Sequence, residues 1–98
     1  MPEISPNRIV YTKHAADQML DRDISEIEVN SVIAGGVMAM EYLTDRPFPS
    51  YLLFAYVGLR PLHVVLAYDA NDKIGYVVTA YEPDPGIWED GYMKRRSQ

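Results

Sequence analysis

Cysteine is absent from the 98 residues, histidine occurs twice and tryptophan once. The first absence excludes a disulfide scaffold and any thiolate metal site, and no metal or cofactor is expected. No apolar run approaches the roughly 20 residues that a bilayer-spanning helix requires. The opening Met-Pro-Glu-Ile-Ser-Pro has neither the basic nor the apolar part of a secretory leader. The expectation is therefore a cytoplasmic protein without membrane attachment. Positive charge is also scarce: nine Lys and Arg stand against 14 Asp and Glu, a formal net charge of -5. A field of that sign repels phosphate, so any contact with nucleic acid must be local.

What is present is apolar content, 48% of the chain, enough for one modest core but not for two. Residues 1–98 are expected to form a single domain. Residues 1–10 carry two prolines and no helical period, and read as an irregular arm with some extended character around Ile9, Val10 and Tyr11. Thr12 is an N-cap candidate, and Ala15, Ala16, Met19 and Leu20 recur at helical spacing up to Asp21. Ser25-Glu26-Ile27-Glu28 is a capping box with Ile24 as its hydrophobic staple, and opens a second helix. Gly35-Gly36 should end that helix in a left-handed turn.

From Val37 the composition changes to β-branched and aromatic runs between turn residues, which predicts strands at 37–43, 51–57, 62–68 and 74–81. Their connections are too short for helical crossovers. The expected fold is thus α+β: two N-terminal helices followed by a four-stranded antiparallel sheet. Residues 83–98 read as a C-terminal turn and a basic tail, Lys94-Arg95-Arg96.

The polar residues able to do chemistry are few. His14 lies in the first turn of the first helix, where the helix dipole favours a neutral ring, with Asp17 one turn on to orient it. On the third predicted strand His63 points away from the bulkier even-numbered residues. If Tyr68 pairs with Ile74, His63 faces Thr79, with Tyr81 two residues further on the same side. Arg22, Arg46 and Arg60 are candidate phosphate ligands, Arg60 being best placed at a turn rim beside His63. Arg22, Lys94, Arg95 and Arg96 are the expected substrate-binding cations, although exposed charges more often only solvate a surface. Trp88 is expected to fold the tail back over the sheet rather than to stack a base.

Several of these residues form an ordered series: Tyr-Thr-Lys-His-Ala at 11–15, Ile24-Ser25-Glu26, Arg60-Pro61-Leu62-His63-Val64-Val65, Thr79-Ala80-Tyr81-Glu82-Pro83-Asp84, and Trp88. Over roughly residues 8 to 92 the series resembles the bacterial DUF4258 family. The resemblance implies a fold of the superfamily of RelE-like toxins, barnase-like nucleases and colicin-type tRNases, and a ribonuclease activity. It also implies pairing with an MqsA-like zinc-finger antitoxin. The family's polar positions fall on His14, Arg60, His63, Thr79 and Tyr81. The sequence departs from the family at Gln18, where arginine is common, and at Asp23, where glycine usually ends the helix.

The resulting expectation is a metal-independent endoribonuclease. His14 and His63 exchange protons, Arg60 stabilises the phosphorane, and Thr79 and Tyr81 position the RNA. The competing expectation is a non-catalytic module whose sheet face binds another protein or a second copy of the chain.

Overall fold

Residues 4–97 are described by a computed structural model. Seven elements follow one another: β1 (Arg8–Tyr11), α1 (Lys13–Asp21), α2 (Glu26–Gly35), β2 (Val37–Tyr42), β3 (Ser50–Val57), β4 (Arg60–Asp69) and β5 (Ile74–Tyr81). Thr12 caps α1 by accepting from the Ala15 amide. Ser25 and Glu28 form the reciprocal capping box of α2. The helix ends at Gly36, though not in a left-handed turn: its φ is -77°. Crowding is the reason for glycine there, because a Cβ would stand 2.9 Å from the Phe54 carbonyl oxygen and closer still to that of Val32.

The strands form one five-stranded mixed sheet, in the order β1-β5-β4-β3-β2. This corrects the expected four-stranded antiparallel sheet behind two leading helices. The end of the segment read as an irregular arm, where extended character is expected around Ile9, Val10 and Tyr11, is a strand that precedes the helices and pairs in parallel with β5, from Arg8 against Ile74 to Tyr11 against Val77. Residues 4–7 stay irregular, and residues 1–3 lie outside the described residues. Four residues are too short to display a period, and the pairing depends on an edge that only the folded β5 offers. Everything between β1 and β5 acts as the crossover that a parallel pair needs.

The remaining pairs are antiparallel. Asp69 pairs with Ile74, and its carboxylate accepts from the amides of Asn71 (3.0 Å) and Asp72 (3.2 Å) to tie the short turn. Leu62, Val64, Leu66 and Tyr68 of β4 face the helices and pack with Ala15, Met19, Ile24, Val29 and Val32. Alternation sends His63, Val65 and Ala67 to the far face, in register with Phe54, Leu52 and Ser50 of β3. That face is covered at one end by the β2–β3 loop and at the other by the segment after β5.

Candidate functional site

The pairing of β4 with β5 sets His63 directly opposite Tyr81. The expected register placed Thr79 there. Pairing through Asp69 moves the partner by one residue, and a bulge at Val65/Leu66 moves it by one more. Two shifts keep the side chain on the same face but exchange Thr79 for Tyr81. Thr79 is turned instead to α1, where its hydroxyl donates to the Gln18 side-chain oxygen.

His63 is fully buried. Its Nε2 lies 2.8 Å from the Tyr92 carbonyl oxygen, which can only accept, so Nε2 carries the proton. Nδ1 is then the acceptor for the Tyr81 hydroxyl, 3.2 Å away. Rings enclose the imidazole edge to face: Trp88 with centroids 4.5 Å apart, Tyr81 at 5.3 Å and Phe54 at 5.6 Å. Burial among them pushes the His63 pKa below its ordinary value of 6.5, and the bond to the Tyr92 carbonyl opposes that shift.

Tyr81 connects this cage to solvent. Two depressions, of about 270 and 400 Å³, share Tyr81 and Glu82 in their walls. Tyr42, Trp88 and Arg95 line the first, and Arg22 and Arg60 the second. Burial raises the Tyr81 pKa and the nearby Tyr42 adds to it, while Arg95 and Arg22 act in the opposite direction. The net effect is a protonated phenol at rest, flanked by two guanidinium groups. Arg22 donates one bond from Nη1 to the Ala80 carbonyl (2.9 Å), and Arg95 lies over the Trp88 ring at 5.6 Å.

Arg60 borders the groove, but its fork is engaged. Nε donates to Glu82 (2.9 Å), Nη1 to the Asp23 carbonyl (2.7 Å) and to Glu28 (3.2 Å), and Nη2 to the Arg22 carbonyl (2.8 Å). Those bonds join the start of β4 to the α1–α2 turn and to the residue after β5. His14 is exposed in the first turn of α1 and lines neither depression. The structure therefore brings His63 and Tyr81 together, with Arg22, Arg60 and Arg95 around them, and leaves His14 and Thr79 elsewhere.

The expected basic tail is a folded loop. Trp88 bridges to Arg95, the Arg96 amide donates to the Ile87 carbonyl (2.8 Å), and Arg96 Nε donates to the Pro85 carbonyl (2.7 Å). The Lys94 carbonyl accepts from the Glu89 amide at 2.8 Å. Tyr42 and the Tyr92 carbonyl were not expected at the site. A backbone oxygen 29 residues from His63 carries no sequence signal at all. Among the described residues, no group of three His, Asp or Glu side chains is placed to hold a metal ion, and no helix is long and apolar enough to cross a membrane.

The family model described as Domain of unknown function (DUF4258) matches residues 11–82, well over half of the sequence. The chain belongs to the DUF4258 family. No curated protein and no solved structure matches it. The DUF4258 match contains His63, Tyr81, Arg22 and Arg60 but stops before Trp88, Tyr92 and Arg95, so the cover over the His63 ring lies outside the matched residues.

Proposed function

We propose that this DUF4258 chain is a metal-independent endoribonuclease acting at the Tyr81 groove. The observation that carries the reading is the hydrogen-bonded pair of Tyr81 and His63 set between the guanidinium groups of Arg22 and Arg95. Attack of a ribose 2′-hydroxyl on the adjacent phosphate needs a proton acceptor and positive charge for the phosphorane. Tyr81 takes the 2′-hydroxyl proton as it passes its own to His63 Nδ1. The resulting imidazolium is held by the Tyr92 carbonyl, and Arg22 and Arg95 neutralise the phosphorane. The leaving 5′-oxygen takes a proton from solvent in the open groove, His63 returns its extra proton through Tyr81 to solvent, and the products are a 2′,3′-cyclic phosphate and a 5′-hydroxyl. Arg60 and Thr79 position the surrounding elements, and His14 has no part in this scheme.

The cellular role we propose with it is that of a cytoplasmic toxin, related in activity to RelE, barnase and colicin ribonucleases and restrained by an MqsA-like zinc-finger antitoxin. Incubation with total RNA in EDTA should yield fragments with 2′,3′-cyclic phosphate ends. Tyr81→Phe should slow their formation by about 100-fold or more, the scale of lost proton transfer. Cleavage by Tyr81→Phe at the parent rate would remove Tyr81 from the mechanism.

The second reading, a non-catalytic protein-binding module, is favoured by Leu20 and Ile27, which are 83% and 81% exposed. Exposed apolar groups of that size fit a partner surface. Expression of the chain alone separates the two: growth arrest that Tyr81→Phe relieves supports the ribonuclease, and healthy growth supports the module.

A further inference from the structure

On the same sheet face as His63, four residues along β4, Ala67 sits in register with Ser50 and Tyr76. There the β2–β3 loop folds over the strands and borders an open pocket of about 490 Å³. Phe48 of the loop and Tyr76 of β5 form an aromatic wall, their rings 5.6 Å apart and within 5° of parallel. Ala67 and Val78 supply apolar lining.

Three polar groups at this pocket, Ser50, Arg46 and the Asp45 carboxylate, have no side-chain partner among the described residues. Ser50 is only 4% exposed, yet its hydroxyl makes no such hydrogen bond and is not sealed from solvent, so it opens to the pocket. Arg46 donates only to the carbonyls of Thr44 and Asp45 beside it, at 3.4 Å each, with no carboxylate in ion-pair reach. Thr12, by contrast, is engaged, donating to the Val77 carbonyl (2.9 Å) and accepting from Ala15 (3.1 Å).

We propose that this pocket binds a ribonucleoside monophosphate, with its base against Phe48 and Tyr76 and its phosphate on Arg46. A stacked aromatic pair still offers an outer ring face to the π face of any base. A guanidinium without a carboxylate matches phosphate oxygens in charge and shape. The Ser50 hydroxyl and the Asp45 carboxylate are available to the amino and hydroxyl edges of base and ribose. The volume falls within the range of small-molecule sites, about 300–1,000 Å³. None of the lining residues borders the Tyr81 groove, so the site stands independently of the proposed ribonuclease.

The test is titration of the full chain, isotope-labelled for NMR, with AMP, GMP, CMP and UMP. None of these has a phosphodiester to cleave, so the result does not depend on activity at Tyr81. At least one should give saturable shifts at Arg46, Phe48, Ser50 and Tyr76. Adenosine, which lacks the anion, and inorganic phosphate, which lacks the ring, should each bind at least about tenfold more weakly. Arg46→Gln, an exposed loop change, should weaken the mononucleotide by a similar factor without altering the spectrum elsewhere. The proposal is overturned if no mononucleotide saturates these residues, if inorganic phosphate or phenylacetate binds as tightly, or if Arg46→Gln binds like the parent.

Discussion

His63 shows how a single side chain can be legible in kind and illegible in setting. Its placement on the far face follows from strand alternation, but its full burial depends on Trp88 and Tyr92, which arrive from beyond the last strand. Burial lowers its pKa in the folded chain, whereas the unfolded chain titrates near 6.5. As pH falls through that value, the unfolded state binds a proton that the folded state declines. The stability present above pH 6.5 is therefore lost on acidification, by up to about 1.4 kcal/mol per pH unit until the lowered pKa is reached. The melting temperature should drop between about pH 7.5 and about pH 5.5 and drop less in His63→Gln, by on the order of 5 °C. Equal slopes for the two proteins would mean that the ring is not held neutral. Asp23 is a second instance. Its φ of 55° puts a non-glycine residue in the left-handed region, a backbone setting that glycine adopts most freely.

At the scale of the element, the segment after β5 behaves as part of the fold and not as an appendage. Trp88 was expected to cover the sheet, and it is 5% exposed against the His63 ring. Trp88→Ala should cost about 3 kcal/mol in denaturant unfolding, as truncation of a large buried aromatic does. Lys94-Arg95-Arg96 reads as a basic tail in the sequence, yet Arg95 and Arg96 complete the loop through the backbone and through Pro85. Removing residues from Lys94 onward should thus cost on the order of 3 kcal/mol, the scale of the three hydrogen bonds lost with them. A truncated chain as stable as the parent would return those residues to the status of a free tail.

Across the whole molecule, Arg60 ties together regions far apart in sequence. It bonds the carbonyls that end α1, the capping glutamate of α2 and the first residue after β5. Arg60→Lys keeps the charge but cannot reproduce a fork that reaches all of them. It should lose about 2 kcal/mol of stability, read as a lower denaturant midpoint with an unchanged slope. The Glu28 carboxyl is held below its ordinary pKa, first by the Ser25 amide and also by its hydroxyl and by Arg60. Its contribution is present above about pH 4.5 and fades on further acidification, so the difference between Arg60→Lys and the parent should narrow there. An Arg60→Lys midpoint equal to that of the parent would leave the linkage without energetic weight.

The sequence by itself determined the helix starts and the strand-forming runs, because a cap and a two-residue alternation are local and need no distant partner. It also narrowed imidazole chemistry to His14 and His63. Only the tertiary structure decided that Arg8–Tyr11 is a strand, since that strand exists through its pairing with β5. It likewise decided that Tyr81 rather than Thr79 meets His63, since loop size and a bulge set the register. The separation of Arg60 from the free cations was its work too. Whether a guanidinium is engaged or available depends on carboxylates and carbonyls that the chain delivers from more than 20 residues away.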